Sequence, residues 1–301
     1  MKNFNQILGV SLLIFLLGKT LGQSQNQAFN DGEKLQLPLN YKINWMSSLN
    51  DNFYLSDLTL PGTHDTMALY GGPAVDCQSW TLADQLKAGI RYLDFRAFAF
   101  GDSLHLMHGV VFELSTFKEA LETIKTFLSE YPTETVLVRV KPELFNKENV
   151  QGLVEQAIYN DRNVWVSSTI PNLGEVRGKV VFVQKDSFKL GVPLFETDTK
   201  GDYEVTHIKD KEQEIVQHVN QAINQCGGSS IVLTYSSGTG IGTFEGMFLT
   251  PKRVAEKIDP WLYNYLQVYL NNVPDICMGV IAMDYPGLDL IQTIIKFNAQ
   301  L

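Results

Sequence analysis

Cysteine is scarce in this chain. Cys77, Cys226 and Cys277 are the only three in 301 residues, and their spacings match no zinc-ligand pattern. In an oxidising compartment they allow one disulfide with one thiol left over, and the sequence leaves the pairing open. A basic excess is also missing. Lys and Arg number 24 against 33 Asp and Glu, a formal charge of −9 with no basic run, so a nucleic-acid partner is not expected. No strand-like run is followed by a glycine-rich nucleotide loop, no internal repeat is present, and no apolar tail after Phe297 signals a glycolipid anchor.

Long hydrophobic stretches are equally rare, and the one present is N-terminal. Lys2 precedes an apolar run from Ile7 to Leu17, and the small residues Thr20 and Gly22 follow. The run is too short to span a bilayer and reads as a secretory signal peptide over residues 1–22, cut after Gly22. No cysteine lies near the cut, so a lipoprotein is not indicated. Export places the protein outside the cell. Its removal takes Lys2 and Lys19 and no acid, leaving 22 basic against 33 acidic residues, a charge of −11. Such a chain has no general electrostatic attraction to an anionic membrane.

What remains has 45% hydrophobic and 19% charged residues over the whole chain, as in a folded globular protein. Residues 23–44 are polar and loosely patterned and read as a linker or an arm over one end of the fold; residues 45–301 read as one domain. Strand-like runs are "DLTLP", "IRYLDFRAF", "SLHLMH", "TVLVRVK", "KVVFVQK", "YEVTHI", "SSIVLTYS" and "MGVIAMDY". Helix-like runs alternate with most of them, among them "TFKEALETIKTFLSEY", where Thr116 and Glu119 are spaced as a capping box. This alternation predicts an α/β fold, an irregular TIM-like (β/α) barrel. The irregularity is a missing crossover: only "AFGD" separates the second and third strands, enough for a hairpin and too little for a parallel connection. A doubly wound open sheet is the competing architecture.

Barrel enzymes carry their chemistry at the carboxyl ends of strands. In "LTLPGTHDTM", Leu58 and Leu60 alternate with Thr59, Pro61 and Gly62 break the run, and His64 and Asp65 stand at its exit. The two-residue period of "IRYLDFRAF" puts Tyr92, Asp94 and Arg96 on one face, with Leu93 and Phe95 on the other. "SLHLMHG" ends at His108, "TVLVRVKPE" at Lys141, "KVVFVQKD" at Lys185 and "GVIAMDYPG" at Asp284; Arg139 shares the parity of Lys141. Each alone has a structural explanation, such as an Asp94–Arg96 ion pair or a solvated lysine. Two histidines, three aspartates and one arginine converging on one rim favour a shared site. Two histidines with an arginine suit the cleavage of a phosphodiester by its own neighbouring hydroxyl: one removes the hydroxyl proton, the other protonates the leaving oxygen, and the guanidinium stabilises phosphate charge.

With "LTLPGTHDT", "YLDFRAF", "LHLMHG", "TVLVRVKPE", "GKVVFVQK", "IVLTYSSGTG" and "MGVIAMDYP" in this order, the chain from Trp45 onward resembles the bacterial-type phosphatidylinositol-specific phospholipases C. The resemblance implies an irregular barrel, cleavage of phosphatidylinositol in membranes or micelles to diacylglycerol and a 1,2-cyclic inositol phosphate, and no cofactor or protein partner. It assigns His64 as general base with Asp284 behind it, His108 as general acid supported by Asp65, and Arg96 as the phosphate ligand. Asp94, Lys141, Lys185 and Asp210 fall near the substrate contacts. At Lys185 the bacterial pattern usually has arginine, and Glu212 stands where an aromatic platform for the inositol ring is expected. Calcium-dependent relatives have acids at the positions of Arg96 and Lys141, so this chain is expected to need no metal.

The loop "IGTFEGMFLTP" follows a strand exit, and its Ile241, Phe244, Met247 and Phe248 are candidate membrane contacts. The competing functions are a metal-dependent glycerophosphodiester phosphodiesterase, whose usual "HRG" start is absent, and an inactive barrel that binds lipid head groups.

Overall fold

A computed structural model describes residues 27–199, 201–273 and 276–300, so the leader expected over residues 1–22 lies outside the described residues. In chain order the strands are β1 (Leu60–Thr63), β2 (Tyr92–Phe100), β3 (Ser103–His108), β4 (Val111–Thr116), β5 (Val136–Pro142), β6 (Val164–Trp165), β7 (Val180–Gln184), β8 (Val192–Glu196), β9 (Ile231–Tyr235) and β10 (Val280–Met283). The α-helices are α1 (Leu82–Ala88), α2 (Phe117–Glu130), α3 (Lys147–Ala157), α4 (Leu173–Val176), α5 (Ile208–Gln225), α6 (Pro251–Asn272) and α7 (Leu288–Lys296). None of the described helices is long and apolar enough to cross a membrane.

Seven strands close into a parallel barrel in the order β1, β10, β9, β8, β7, β5 and β2, with β2 pairing back to β1. β2, β3 and β4 form an antiparallel ribbon, joined at the first turn by the short connection expected of a hairpin. β6 flanks β7 outside the ring. The side-chain period of two sorts the residues. Tyr92 packs with Leu137, Val181, Leu233, Val280 and Ala282 inside the barrel, and Leu93 and Phe95 pack outward with the helices. Trp45, Met46, Leu55 and Leu58 close the inner core from below; Trp45 Nε1 donates to the Gly89 carbonyl at 3.0 Å. Burying each such large apolar side chain contributes ~1.5–3 kcal/mol. The arm runs from one end of the barrel to the other. Ala28 accepts from Gly287 N (2.7 Å), and the Tyr41 hydroxyl donates to Ala88 beside Gly89.

Several local readings change. Pro61 and Gly62 lie inside β1 rather than ending it. Leu60 N donates to the Gly279 carbonyl just before β10 and His64 N to Met283 at its end, so Pro61 has its missing N–H on the β2 side, where its carbonyl accepts from Arg91 N. Gly62 faces inward, and a Cβ there would stand 2.8 Å from the Tyr92 ring. "YEVTHI" is no strand. A turn in which Asp202 accepts from Thr199 N leads through it into α5. The strand belonging to that part of the barrel is β8, whose Pro193 disguised it. The sequence reading also missed β4, the two-residue β6, the short α4, and α7. The open-sheet alternative fails because β2 and β1 pair. The disulfide joins Cys226 and Cys277, and Cys77 is a buried free thiol.

Candidate active site

The barrel interior is apolar through its lower layers and becomes polar where the strands exit. His64, one residue beyond β1, is buried, with only 3% of its surface exposed. Its Nδ1 lies 2.9 Å from Asp284 Oδ1, one residue beyond β10, and its Nε2 lies 2.9 Å from Arg96 Nη2 on β2. A guanidinium can only donate. Nε2 is therefore the unprotonated acceptor, and Nδ1 carries the proton and donates it to Asp284. Burial and the neighbouring Arg96 hold the His64 imidazole well below its usual pKa. Burial pushes the Asp284 carboxyl up, while Arg96 and Lys211 pull the other way. The pair shares one proton and presents a lone pair at Nε2.

Asp65 turns the chain after His64 with φ of 38°, in the left-handed region that Asp tolerates better than most residues. The turn aims its carboxylate at Arg96 and His108, with the bare nitrogen of His64 beside it. Oδ1 pairs with Arg96 Nε, and Oδ2 lies 3.2 Å from His108 Nε2 and 3.5 Å from His64 Nε2. The other His108 nitrogen, Nδ1, lies 2.8 Å from the Val75 carbonyl. Both nitrogens of His108 thus face acceptors, an arrangement best satisfied when the ring carries both protons. Burial and Arg96 lower its pKa, and the bond to Val75 opposes them.

Asp94 is buried under the rim and accepts from the Tyr235 hydroxyl at 3.2 Å; Arg139 donates to the same hydroxyl and pairs with Glu196 at 2.5 Å. Burial raises the Asp94 carboxyl, and the cations Arg139 and Lys141 lower it. Lys141 is held below the usual ammonium range by burial and Arg96. Lys185 reaches Glu196 Oε2 at 3.4 Å. At this rim His64, Asp65, Arg96, His108 and Asp284 are linked by hydrogen bonds and ion pairs. Asp94 and Lys185 belong to a second chain through Tyr235, Arg139 and Glu196 that meets the first where Tyr235 packs on His64, and Lys141 stands beside Arg96 in the β2–β5 register. Asp210 does not join the rim. It sits exposed in the first turn of α5 beside His207, at 3.5 Å, because the segment before it is a turn and not the expected strand. The carboxylate at that part of the rim is Asp198, two residues past β8, which accepts from Tyr235 N at 3.0 Å. Glu212 is on α5, paired with Lys209 at 2.6 Å; the aromatic rings beside His64 are Tyr203, at 5.1 Å between centroids, and Tyr235, at 5.5 Å.

Arg139, Glu196, Tyr235 and Tyr203 went unassigned in the sequence. Arg139 and Tyr235 carried a usable signal, since both lie on barrel strands near their exits; Glu196 lay on the hidden strand and Tyr203 on a turn. The loop after β9 leaves Phe244 at 91% and Phe248 at 71% exposure, with Ile241 and Met247 half exposed. Among the described residues, His64, Asp65 and Asp94 have donor atoms close enough to share a cation, all within 4.8 Å of one another. The Arg96 guanidinium already engages Asp65 and His64 in that grouping.

Three comparisons bear on this geometry. The family model of the phosphatidylinositol-specific phospholipase C X domain matches residues 54–186. A 1-phosphatidylinositol phosphodiesterase of Listeria monocytogenes is 30% identical across 99% of this chain and 98% of its own length. The solved structure of the phosphatidylinositol-specific phospholipase C from Listeria monocytogenes superimposes with a TM-score of 0.73 at 29% identity, covering 85% of this chain and 99% of that one. A Staphylococcus aureus structure with a TM-score of 0.71 and 20% identity, covering 85% of this chain and 97% of its own, shares the fold.

Proposed function

The chain belongs to the phosphatidylinositol-specific phospholipase C family, and from that premise we propose an enzyme that cleaves phosphatidylinositol by proton transfer between two histidines. The observation that carries this reading is the inverted hydrogen bonding of His64 and His108 on either side of Asp65. Phosphate oxygens entering beside Arg96 take over its donors and release the His64 Nε2 lone pair. His64 then accepts the proton of the inositol 2-hydroxyl, with Asp284 stabilising the imidazolium through Nδ1. The hydroxyl oxygen bonds to phosphorus as the bond to the glycerol oxygen breaks. That oxygen receives the His108 Nε2 proton in the place where Asp65 now accepts. The products are diacylglycerol and 1,2-cyclic inositol phosphate. Arg96, with Lys141 nearby, meets the charge that develops on the phosphoryl oxygens. Slow opening of the cyclic product to inositol 1-phosphate runs through the same groups in reverse roles.

Contact with the bilayer is peripheral. Phe244 and Phe248, with Ile241 and Met247, lie on a loop that leaves a barrel strand at its carboxyl end, and their exposure supports insertion between lipids. The Cys226–Cys277 disulfide supports an exported protein, since such bonds persist in oxidising compartments. The deciding experiment is cleavage of phosphatidylinositol micelles in excess EDTA. Turnover is expected to persist, with a cyclic phosphate as first product; activity lost to chelation and restored by calcium would overturn the reading.

A further inference from the structure

Glu113 is a buried carboxylate on β4, outside the rim network, with 1% of its surface exposed. Its Oε2 accepts from two successive backbone N–H groups, Leu69 at 2.9 Å and Tyr70 at 3.0 Å. Its Oε1 has no hydrogen-bond partner. Burial pushes this carboxyl up to about 7; the Leu69 and Tyr70 bonds lower it, and Asp76 raises it further. A group this costly to bury is held for what its two bonds fasten.

They fasten the loop that runs from the catalytic turn to Cys77. Ala68 accepts from Cys77 N (2.9 Å) and Gln78 N (3.1 Å), closing the loop at its base. Asp76 accepts from Gly72 N (2.9 Å) inside it. Gly71 and Gly72 both have positive φ, a turn conformation that glycine adopts without strain, and the Glu113 bonds to Leu69 and Tyr70 fix the limb that leads into it. The far limb carries Val75, whose carbonyl holds His108 Nδ1. His108 and Val111 pair across the β3–β4 turn, two residues from Glu113. The loop is thus attached to one hairpin twice, once through Glu113 and once through His108. The far limb is also held where Cys77 Sγ lies 3.4 Å from the Val75 carbonyl and the Tyr285 hydroxyl donates to the Asp76 carbonyl at 3.0 Å. Loss of the Glu113 attachment therefore loosens the Val75 carbonyl against Nδ1 rather than releasing it, and the Nε2 proton is aimed less well at Asp65.

We propose that Glu113 is a positioning residue for proton donation, fixing the Leu69–Val75 loop so that Val75 orients His108. The proposal rests on the acid role given to His108 above. Its test compares two monomeric substrates, so membrane binding does not enter: dibutyroyl phosphatidylinositol, whose alkoxide leaving group needs a proton, and inositol p-nitrophenyl phosphate, whose phenolate does not. Glu113→Ala is expected to lower kcat on the first about tenfold or more, a part of the 10²–10⁴-fold that an acid contributes, and to change the second less than twofold. Glu113→Gln keeps one acceptor oxygen and is expected to restore most of the loss while still favouring the nitrophenyl ester. Equal losses on both substrates, or no loss in folded Glu113→Ala, would overturn the proposal. If Glu113→Ala does not fold, an unchanged substrate ratio in Glu113→Gln overturns it alone. Wild-type protein that cleaves neither substrate would instead defeat the phospholipase reading.

Discussion

His64 and His108 are the same side chain in opposite surroundings. His64 lies between a donor, Arg96, and an acceptor, Asp284, so its neighbours favour one proton on Nδ1 and a bare Nε2. His108 lies between two acceptors, Val75 and Asp65, so its neighbours favour both protons. Arg96 contributes to the contrast twice. It donates directly to His64, and at His108 it is a more distant positive charge whose partner Asp65 stands between. The difference teaches that the hydrogen-bond partner of each nitrogen, more than the residue type, sets the protonation each ring favours, which is what the proposed division into base and acid requires.

Deleting either histidine breaks the comparison outright. His64→Ala should lower turnover of phosphatidylinositol and of inositol p-nitrophenyl phosphate alike, each by about 10²–10⁴-fold. His108→Ala should match that loss on phosphatidylinositol but spare the nitrophenyl ester within about tenfold, as steady-state kinetics on the two substrates would reveal. Identical profiles for the two variants would erase the distinction between the sites.

Arg96→Lys removes the forked guanidinium that reaches Asp65, Glu143 and His64 together. A point charge cannot reproduce that geometry. A drop of roughly 10²-fold in kcat is expected, on the scale of a lost transition-state donor. Near-normal turnover would mean that charge alone suffices there.

The pH profile sharpens the contrast further. The base must be neutral, so activity falls as pH drops through the His64 pKa, and the lowering of that pKa moves this limb to the acid side. The acid must be protonated, so activity falls as pH rises through the His108 pKa, which is also lowered. The bell for kcat/KM of the free enzyme should therefore lie on the acid side of an ordinary imidazole. Because Arg96 depresses both groups, Arg96→Gln should move both limbs to higher pH. A profile whose limbs stay in place would separate Arg96 from the titrations.

The smallest effect on chemistry is expected far from either histidine. Phe244→Ser combined with Phe248→Ser should weaken vesicle binding about tenfold or more, given ~1.5–3 kcal/mol for each fully buried apolar side chain. Opening of soluble cyclic inositol phosphate should barely change. Equal loss on vesicles and on the soluble substrate, or a lowered melting temperature, would assign these side chains to the core.

Much of the rim was legible because the period of a strand is local. Tyr92, Asp94 and Arg96 had to share a face, and His64, His108 and Asp284 had to stand at strand ends. The segment around Asp210 was misread because β-type composition at Tyr203 and Val205 does not distinguish a strand from a buried turn. The real strand nearby contains Pro193, which a local reading counts against a strand.

The amino-acid order alone thus determined which strand residues share a face, where the hairpin replaces a crossover, and that His64, His108 and Asp284 stand at strand exits. Each depends on spacings of a few residues and on backbone sterics that act locally. Only the tertiary structure decided that Cys226 pairs with Cys277, that Asp198 rather than Asp210 stands at the rim, and whether each histidine nitrogen meets a donor or an acceptor. Those outcomes depend on contacts between segments far apart in the chain, such as His64 with Asp284 and His108 with Val75. No local pattern encodes them, because closing the barrel is what brings the partners within hydrogen-bond distance.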